Sequence, residues 1–390
     1  MRRLSANYIF PVDKPPIKNG IIEVEENGTI INVIDTQNKE TAGTEFYNGI
    51  LVPGFVNTHC HLELSYLKGK IPGHQKLAGF IESLKNIRSE ESSEIIAAKA
   101  DFFDKLMWQN GIVAVGDISN DTTTFPIKKE SKIYYHTFIE FFGLIPEKAE
   151  KTYSAVKEKL NTLNLFKLNG NLVPHAPYSI SPSLFNFYKT AIHAPTEIVS
   201  VHFQETESEN TYFKHQTGDL FNLFKKWGMP FPFNSNSSID YLLENIPPHL
   251  NTIFVHNTFA GADAINKIKT TDEHPFLCLC PNANLYIENQ LPDIPLIQNS
   301  DIPITLGTDS LASNNSLSIL EEMKTIQHHF PDIPFHEILN WATINGAGAL
   351  KLDNNFGSIT VGKKPGINLV ENMDLKNLKL LPESIVRKLI

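Results

Sequence analysis

Leu51-Val52-Pro53-Gly54-Phe55-Val56-Asn57-Thr58-His59-Cys60-His61-Leu62-Glu63 is the stretch on which the fold turns. An apolar run leads into two histidines one residue apart. In a strand, residues i and i+2 point to the same face. His59 and His61 would then present both imidazoles on one side, where the strand stops. That arrangement suits one metal ion, since zinc takes imidazole nitrogen at roughly 2.0–2.1 Å. An HxH pair alone is equally compatible with two unrelated histidines or a turn cap, so further ligands have to come from elsewhere.

Working outward, a strand–loop–helix pattern repeats. Apolar strand candidates are Ile50–Thr58, Ile112–Ile118, Ile133–Phe142, Leu168–Pro174, Ile198–His202, Thr252–His256, Pro275–Leu279 and Ile302–Gly307. Helical candidates are Ser92–Asn110, closed by Gly111 as a C-cap, then Pro146–Leu163, Pro182–His193, Ser237–Asn245, Ala262–Lys269, Ser316–His329 and Phe335–Leu350. Asp121–Glu130, with three threonines and Pro126, reads as a loop. Eight strands alternating with helices predict an α/β chain folded as a (β/α)8 TIM-like barrel over residues 51–356. A doubly wound open sheet is the alternative, and no GxGxxG turn follows any strand to support its dinucleotide-binding form.

Both ends of the chain read differently. Tyr8–Phe10, Gly20–Val24 and Thr29–Ile34 are short β-branched runs, with the hairpin signal Asn27-Gly28 between the last two. Gly357–Lys363 and Ile367–Val370 return to that style. Residues 1–50 and 357–390 are expected to build one small β-sandwich domain from both termini.

Composition sets the class. The 390 residues carry a formal net charge of -9, with 41% hydrophobic and 20% charged residues, ordinary for a soluble globular protein. Nucleic-acid binding would need clustered Lys and Arg; Lys128-Lys129 and Lys225-Lys226 read as solvated faces. Cys60, Cys278 and Cys280 make no disulfide framework and fit a reducing compartment. Neither a signal peptide nor a membrane-spanning run is evident. The expectation is a cytoplasmic enzyme with a small-molecule substrate and no nucleic-acid or membrane partner, a homodimer being an option.

Chemistry gathers at the strand ends. After His59 and His61 come His175 behind the fourth strand candidate, His202 and Glu205 at the fifth, His256 at the sixth and Asp309 at the eighth. C-terminal strand ends of such a barrel share one mouth, where active sites sit. Metal-capable and proton-transferring side chains spread over 250 residues therefore converge. Asp117 and Glu140 are polar positions within strands that could stand behind that site, while His136, His193, His215, His249, His274, His328, His329 and His336 read as structural or surface residues. Glu207 and Glu209 read as solvated residues of a helix start. Tyr134, Tyr135, Phe138, Phe141 and Phe142 read as core.

On Pro53–His61, His175-Ala176-Pro177-Tyr178-Ser179, Val201-His202-Phe203-Gln204-Glu205-Thr206, His256 and Leu306-Gly307-Thr308-Asp309, the chain resembles the amidohydrolase superfamily along nearly its whole length. Cys280-Pro281-Asn282-Ala283-Asn284-Leu285 and Ser313-Asn314-Asn315-Ser316-Leu317 make it similar to the branch of guanine, S-adenosylhomocysteine and aminofutalosine deaminases. The resemblance implies one divalent metal on His59, His61, His202 and Asp309. It also implies catalytic roles for Glu205, His256 and Asp309, and substrate contacts from His175, Glu63, Ser310 and Asn284, with Glu63 alternatively bracing the metal shell. Three imidazoles and a carboxylate suit Zn2+ first, with Fe2+ or Mn2+ as alternatives by ligand type. A metal lowers the pKa of bound water towards neutrality, and the hydroxide could attack an electron-poor ring carbon bearing an amino group while Glu205 protonates the adjacent ring nitrogen. The expected activity is hydrolytic deamination of a purine-like heterocycle or nucleoside. Alternatives are the aminofutalosine step of menaquinone synthesis, loss of another leaving group, or opening of a cyclic amide. Val173-Pro174-His175 has no Lys where binuclear relatives carry one, which favours a single metal. The H-x-E/P-C-x-x-C deaminase class is excluded by the order of Cys278-Leu279-Cys280-Pro281.

Overall fold

The computed structural model describes residues 1–37, 42–87, 91–190 and 197–390. The strands in order are β1 (Arg2–Ile9), β2 (Ile17–Lys18), β3 (Ile21–Val24), β4 (Ile30–Ile34), β5 (Glu45–Pro53), β6 (Phe55–Cys60), β7 (Ile112–Ser119), β8 (Tyr134–Phe141), β9 (Asn169–Pro174), β10 (Ile198–Phe203), β11 (Asn251–His256), β12 (His274–Leu279), β13 (Ile304–Leu306), β14 (Ile367–Glu371) and β15 (Ile385–Lys388). Strands β6 to β9 form one four-stranded parallel sheet and β10 to β13 another, each in sequential order. Strands buried on both faces read as near-continuous apolar runs. In β7, Ala114 and Ile118 join Val56, Phe138 and Val173 in an inner cluster. Its Ile112 and Val115 belong instead to an outer cluster that includes Phe103 and Met107 of the helix Ser93–Gln109.

Two seams join these sheets edge to edge. Between β9 and β10, the His202 amide donates to the His175 carbonyl at 2.8 Å and Asn171 Nδ2 to the Ile198 carbonyl at 2.9 Å. Between β13 and β6, the Thr308 and Asp309 amides donate to the His59 carbonyl at 3.0 and 3.1 Å, and Cys60 bridges Asp309 in parallel register. Gly307 makes the second seam close: a Cβ there would stand 2.8 Å from His59 Cβ and 2.9 Å from Cys278 Sγ. Only a residue without a side chain allows that approach.

Both chain ends contribute to one seven-stranded sheet, ordered β15-β14-β5-β1-β3-β4 with β2 on β1. In it β5 runs parallel to β1 and antiparallel to β14. The candidate strand Ile50–Thr58 is therefore two strands in two sheets, divided at Gly54. The Gly54 amide donates to the Pro365 carbonyl at 3.1 Å, and a Cβ there would meet Val113 Cγ1 at 2.3 Å. A continuous apolar run hid the switch because both halves are buried. Gly357–Lys363 is turns rather than a strand. It is tied to the sheet by Ile359 N–H to the Pro11 carbonyl and Gly362 N–H to the Ile30 carbonyl, both 2.9 Å.

Helices match the expected places with local differences. Ser92 caps Ser93–Gln109, its Oγ accepting from the Ile95 amide. Phe335–Leu350 breaks into Phe335–Ala342 and Ile344–Ala349 at Thr343, which leaves helical geometry with φ -136° and ψ -89°. The helix from Pro182 is described to Lys189; His193 lies outside the described residues. No helix among the described residues is long and apolar enough to cross a membrane.

The expected loop at Asp121–Glu130 contains a short helix, Phe125–Glu130, with Pro126 in its first turn, where proline is tolerated. It turns Lys128 inward. Far from a solvated face, Lys128 is buried against Asp117, Nζ to Oδ2 2.6 Å, and donates to Ser119 Oγ at 2.8 Å and Thr137 Oγ1 at 3.2 Å. Removing one partner of a buried pair strands the other's charge, at a cost of about 3–5 kcal/mol. Lys128→Met should therefore lower unfolding free energy by about that amount in denaturant titrations, and adding Asp117→Asn should recover much of the loss. Equal stability of K128M and the parent would show that the pair is not needed.

Candidate active site

Asp117 leads into the site. Its Oδ1 accepts the Leu62 amide at 2.8 Å, so the buried pair pins the chain just past His61. There β6 gives way to a 3-10 turn, Leu62–Leu67. His59 and His61 face the same point, Nε2 to Nε2 3.1 Å. Asp309 Oδ1 stands 3.4 Å from His61 Nε2 and 3.7 Å from His59 Nε2. Donor atoms of His59, His202, His256 and Asp309 lie within 4.8 Å of one another, so five buried side chains from four strand ends surround one point.

This donor set fits a metal. Two ligands at 2.0–2.1 Å in a tetrahedral shell stand about 3.3–3.4 Å apart, and the three measured separations bracket that edge. Protonation agrees. Burial pushes the His61 and His202 imidazoles well below their usual range, the neutral form that coordinates. Burial works to raise Asp309, but the neighbouring His59 and the other imidazoles outweigh that and hold it well below the ordinary carboxyl range. A neutral His61 makes no ion pair with Asp309, so the close approach is a convergence of lone pairs on a place for a cation.

The supporting contacts fix which nitrogen each ring presents. His202 Nδ1–H donates to the His175 carbonyl at 2.8 Å, leaving Nε2 for the site. Glu140 Oε1 lies 3.6 Å from the same Nδ1. His256 Nδ1–H donates to Asn284 Oδ1 at 2.8 Å. Its buried Nε2, without a hydrogen-bond partner among the described residues, lies 3.7 Å from Glu205 Oε1. Glu205 is itself buried, and desolvation, helped by Asp309, pushes its carboxyl well above the usual range. Glu205 thus stands beside an imidazole nitrogen with a free lone pair, in surroundings that favour its protonated form.

Left-handed backbone recurs at these strand ends: Gln204 φ 44°, His256 φ 77°, Asn257 φ 57° and Asp309 φ 55°. For a residue other than glycine that conformation costs roughly 1–2 kcal/mol, and it persists only where surrounding bonds over-determine it. At Asp309 they do. Asn57 Nδ2 holds Thr308 Oγ1 at 2.8 Å, Asn57 Oδ1 takes the Thr308 amide at 3.1 Å, and Ser313 Oγ donates to Asp309 Oδ2 at 2.5 Å.

Of the residues singled out in the sequence, His59, His61, His202, Glu205, His256 and Asp309 come together. His175 is half-buried beside them, its ring 4.7 Å from that of His202 and Nδ1 2.9 Å from Ser179 Oγ. The three others expected to meet substrate make the following contacts with protein groups. Asn284 holds His256. Glu63 Oε2 accepts the Asn120 and Asp121 amides at 2.8 and 3.2 Å, and Asn120 Nδ2 in turn donates to Glu140 Oε2 at 3.0 Å. Ser310 is buried, its Oγ 3.2 Å from Ser313 Oγ. Sequence reasoning missed Ser313 as the partner of Asp309, although it stands four residues further on in a stretch already noted. Phe142 was grouped with the core aromatics but is half-exposed, its ring 5.8 Å from that of His175.

Comparison with known proteins bears on this arrangement. Residues 50–387 match the profile of the Amidohydrolase family. An adenosine deaminase of Helicobacter pylori is 28% identical over 330 residues, 83% of this chain and 79% of that protein. An aminodeoxyfutalosine deaminase of a Nitratiruptor species is 28% identical over 335 residues, again 83% and 79%. In structure, the chain is similar to H. pylori aminofutalosine deaminase in complex with methylthio-coformycin, with a TM-score of 0.80, 24% identity, and coverage of 96% of this chain and 93% of that one.

Proposed function

The chain belongs to the amidohydrolase family, and from that we propose a metal-dependent hydrolytic deaminase that releases ammonia from the aminated purine ring of a nucleoside. The observation that carries the reading is Glu205: a buried carboxyl 3.7 Å from His256 Nε2, at the edge of the imidazole–carboxylate cluster, where burial favours the protonated form. Deamination needs a proton on the ring nitrogen next to the carbon that water attacks. Two relatives, an adenosine deaminase and an aminodeoxyfutalosine deaminase, support the class.

Among the residues present, His59, His61, His202 and Asp309 would hold one divalent ion, zinc by ligand type. When bound it supplies Lewis acidity and water of lowered pKa. Glu205 gives its proton to the ring nitrogen and raises the electrophilicity of the adjacent carbon. His256 Nε2 receives the proton that water sheds, its tautomer fixed by Asn284. His175 at the rim meets the part of the substrate remote from the amine. Aminodeoxyfutalosine is the second reading, favoured by the Nitratiruptor relative.

The same proposal covers the architecture: the two parallel sheets are halves of one (β/α)8 barrel over residues 51–356, and residues 1–50 and 357–390 make a small β domain, built on one seven-stranded sheet rather than the two of the expected sandwich. Seam bonds at His202–His175 and Asp309–His59 support the first. Cytoplasmic residence is supported by Cys60, Cys278 and Cys280, all free and buried.

An ammonia-release assay on the zinc-loaded protein tests the activity, with adenosine, 5′-deoxyadenosine, guanine, cytosine and aminodeoxyfutalosine as substrates. Turnover should be confined to the adenine nucleosides. Release from none of the five, by protein shown to hold metal, would sink the reading.

A further inference from the structure

We infer that Glu209 is a positioning residue that aims Glu205 by gripping the backbone of Gln204. Thr206-Glu207-Ser208-Glu209 has the spacing of a capping box, in which a helix's third residue reaches back to the amide of its N-cap. Thr206 is that N-cap, and the helix is Glu207–His215. Glu209 reaches past it. Its Oε2 accepts the amide of Gln204 at 3.0 Å, two residues before the cap and directly before Glu205.

Three further observations separate this from ordinary helix capping. Glu209 is fully buried, where Glu207 beside it is exposed, so the reading of both as solvated residues holds for Glu207 alone. Burial pushes the Glu209 carboxyl up to about 8, a burden that a helix cap at the surface would not carry. Gln204 is also one of the left-handed residues, and two more of its polar groups are held. The Gln204 carbonyl accepts the Phe259 amide at 2.9 Å, and Nε2 donates to Asn210 Oδ1 at 2.8 Å. The direction in which Glu205 leaves the backbone is set by the φ of the residue before it. Without a bond on the Gln204 amide, that turn loses the contact which keeps it from relaxing to an extended form, and the Glu205 carboxyl loses its place beside His256.

The test uses the metal-loaded protein and rests on the reading of Glu205 as proton donor. Glu209→Ala should lower kcat about 10²-fold, the scale of a misplaced catalytic group, with KM and bound metal near the parent values. Glu209→Gln, whose amide oxygen can still accept the Gln204 N–H, should recover most of the loss. In the Glu205→Gln background, Glu209→Ala should add nothing, because the group it aims is already gone. Equal losses from Glu209→Ala in both backgrounds, or loss of metal in step with activity, overturn the proposal. Full activity of Glu205→Gln alone would overturn the reading of Glu205 instead, which keeps the two failures distinct. Should Glu209→Ala not fold, Glu209→Asp, one methylene short of Gln204, carries the same comparison.

Discussion

Glu205→Gln should leave the protein folded and fully metal-loaded while kcat falls about 10²–10⁴-fold, the usual value of general acid–base help. The substitution keeps size and shape, and a buried amide replaces a buried carboxyl whose surroundings favour its protonated form. What disappears is the ability to pass that proton to the substrate. Glu205 faces His256 Nε2 at 3.7 Å and is not among the donors that crowd one point, so metal content should be unchanged. Elemental analysis and steady-state kinetics on one preparation read both quantities. A variant with parental kcat would remove Glu205 from the chemistry; one that lost its metal would make it a ligand.

Removing the metal is the second large effect. Dialysis against a chelator should take activity to background, and stoichiometric Zn2+ should restore it, with Mn2+ and Fe2+ as comparisons. The cage is built by strand ends and seam bonds that involve only protein groups, so the apo protein should stay folded but be less stable. A ligand at 1,000 times its Kd contributes about 4.1 kcal/mol, and denaturant midpoints with and without metal would show a difference of that order. Asp309→Asn should resist restoration. The carboxylate is the negative charge in the cluster, held ionised by His59 and the other rings around it. Turnover by protein with no detectable metal would refute the assignment outright.

Much of this was legible in the chain. Seven of the eight strand candidates fall within a few residues of β7 to β13, because a strand buried on both faces must be apolar throughout and such runs end where polar chemistry begins. His59, His202, Glu205, His256 and Asp309 were readable for the same reason: each follows such a run. Residues that work through others were not readable. Lys128 resembled any surface lysine, since nothing local reveals that its helix faces Asp117. Glu209 resembled a solvated helix start, since its partner is a backbone amide whose unusual φ leaves no mark in the sequence. Asn284 reads from the sequence as a substrate contact and Ser313 only as part of a motif, because their partners here, His256 and Asp309, are set by tertiary geometry. The boundary at Gly54 was lost where two buried strands of different sheets adjoin.

The sheet built from both ends of the chain has a consequence in time. Strand β5 ends at Pro53 and its antiparallel partner β14 begins at Ile367, so a ribosome working at about 5–20 residues per second needs roughly 15–60 s to make one after the other. Throughout that interval β1 and β5 can pair, but the far edge of β5 carries unmatched amides and carbonyls next to Ile50, Leu51 and Val52. An open apolar edge is a template for another nascent chain. The parallel strands fill that same interval, and each has its own long loop to close before it gains anything. Yield of this protein should therefore depend on elongation rate and on chaperones that hold an early edge, more than on the stability of the finished molecule.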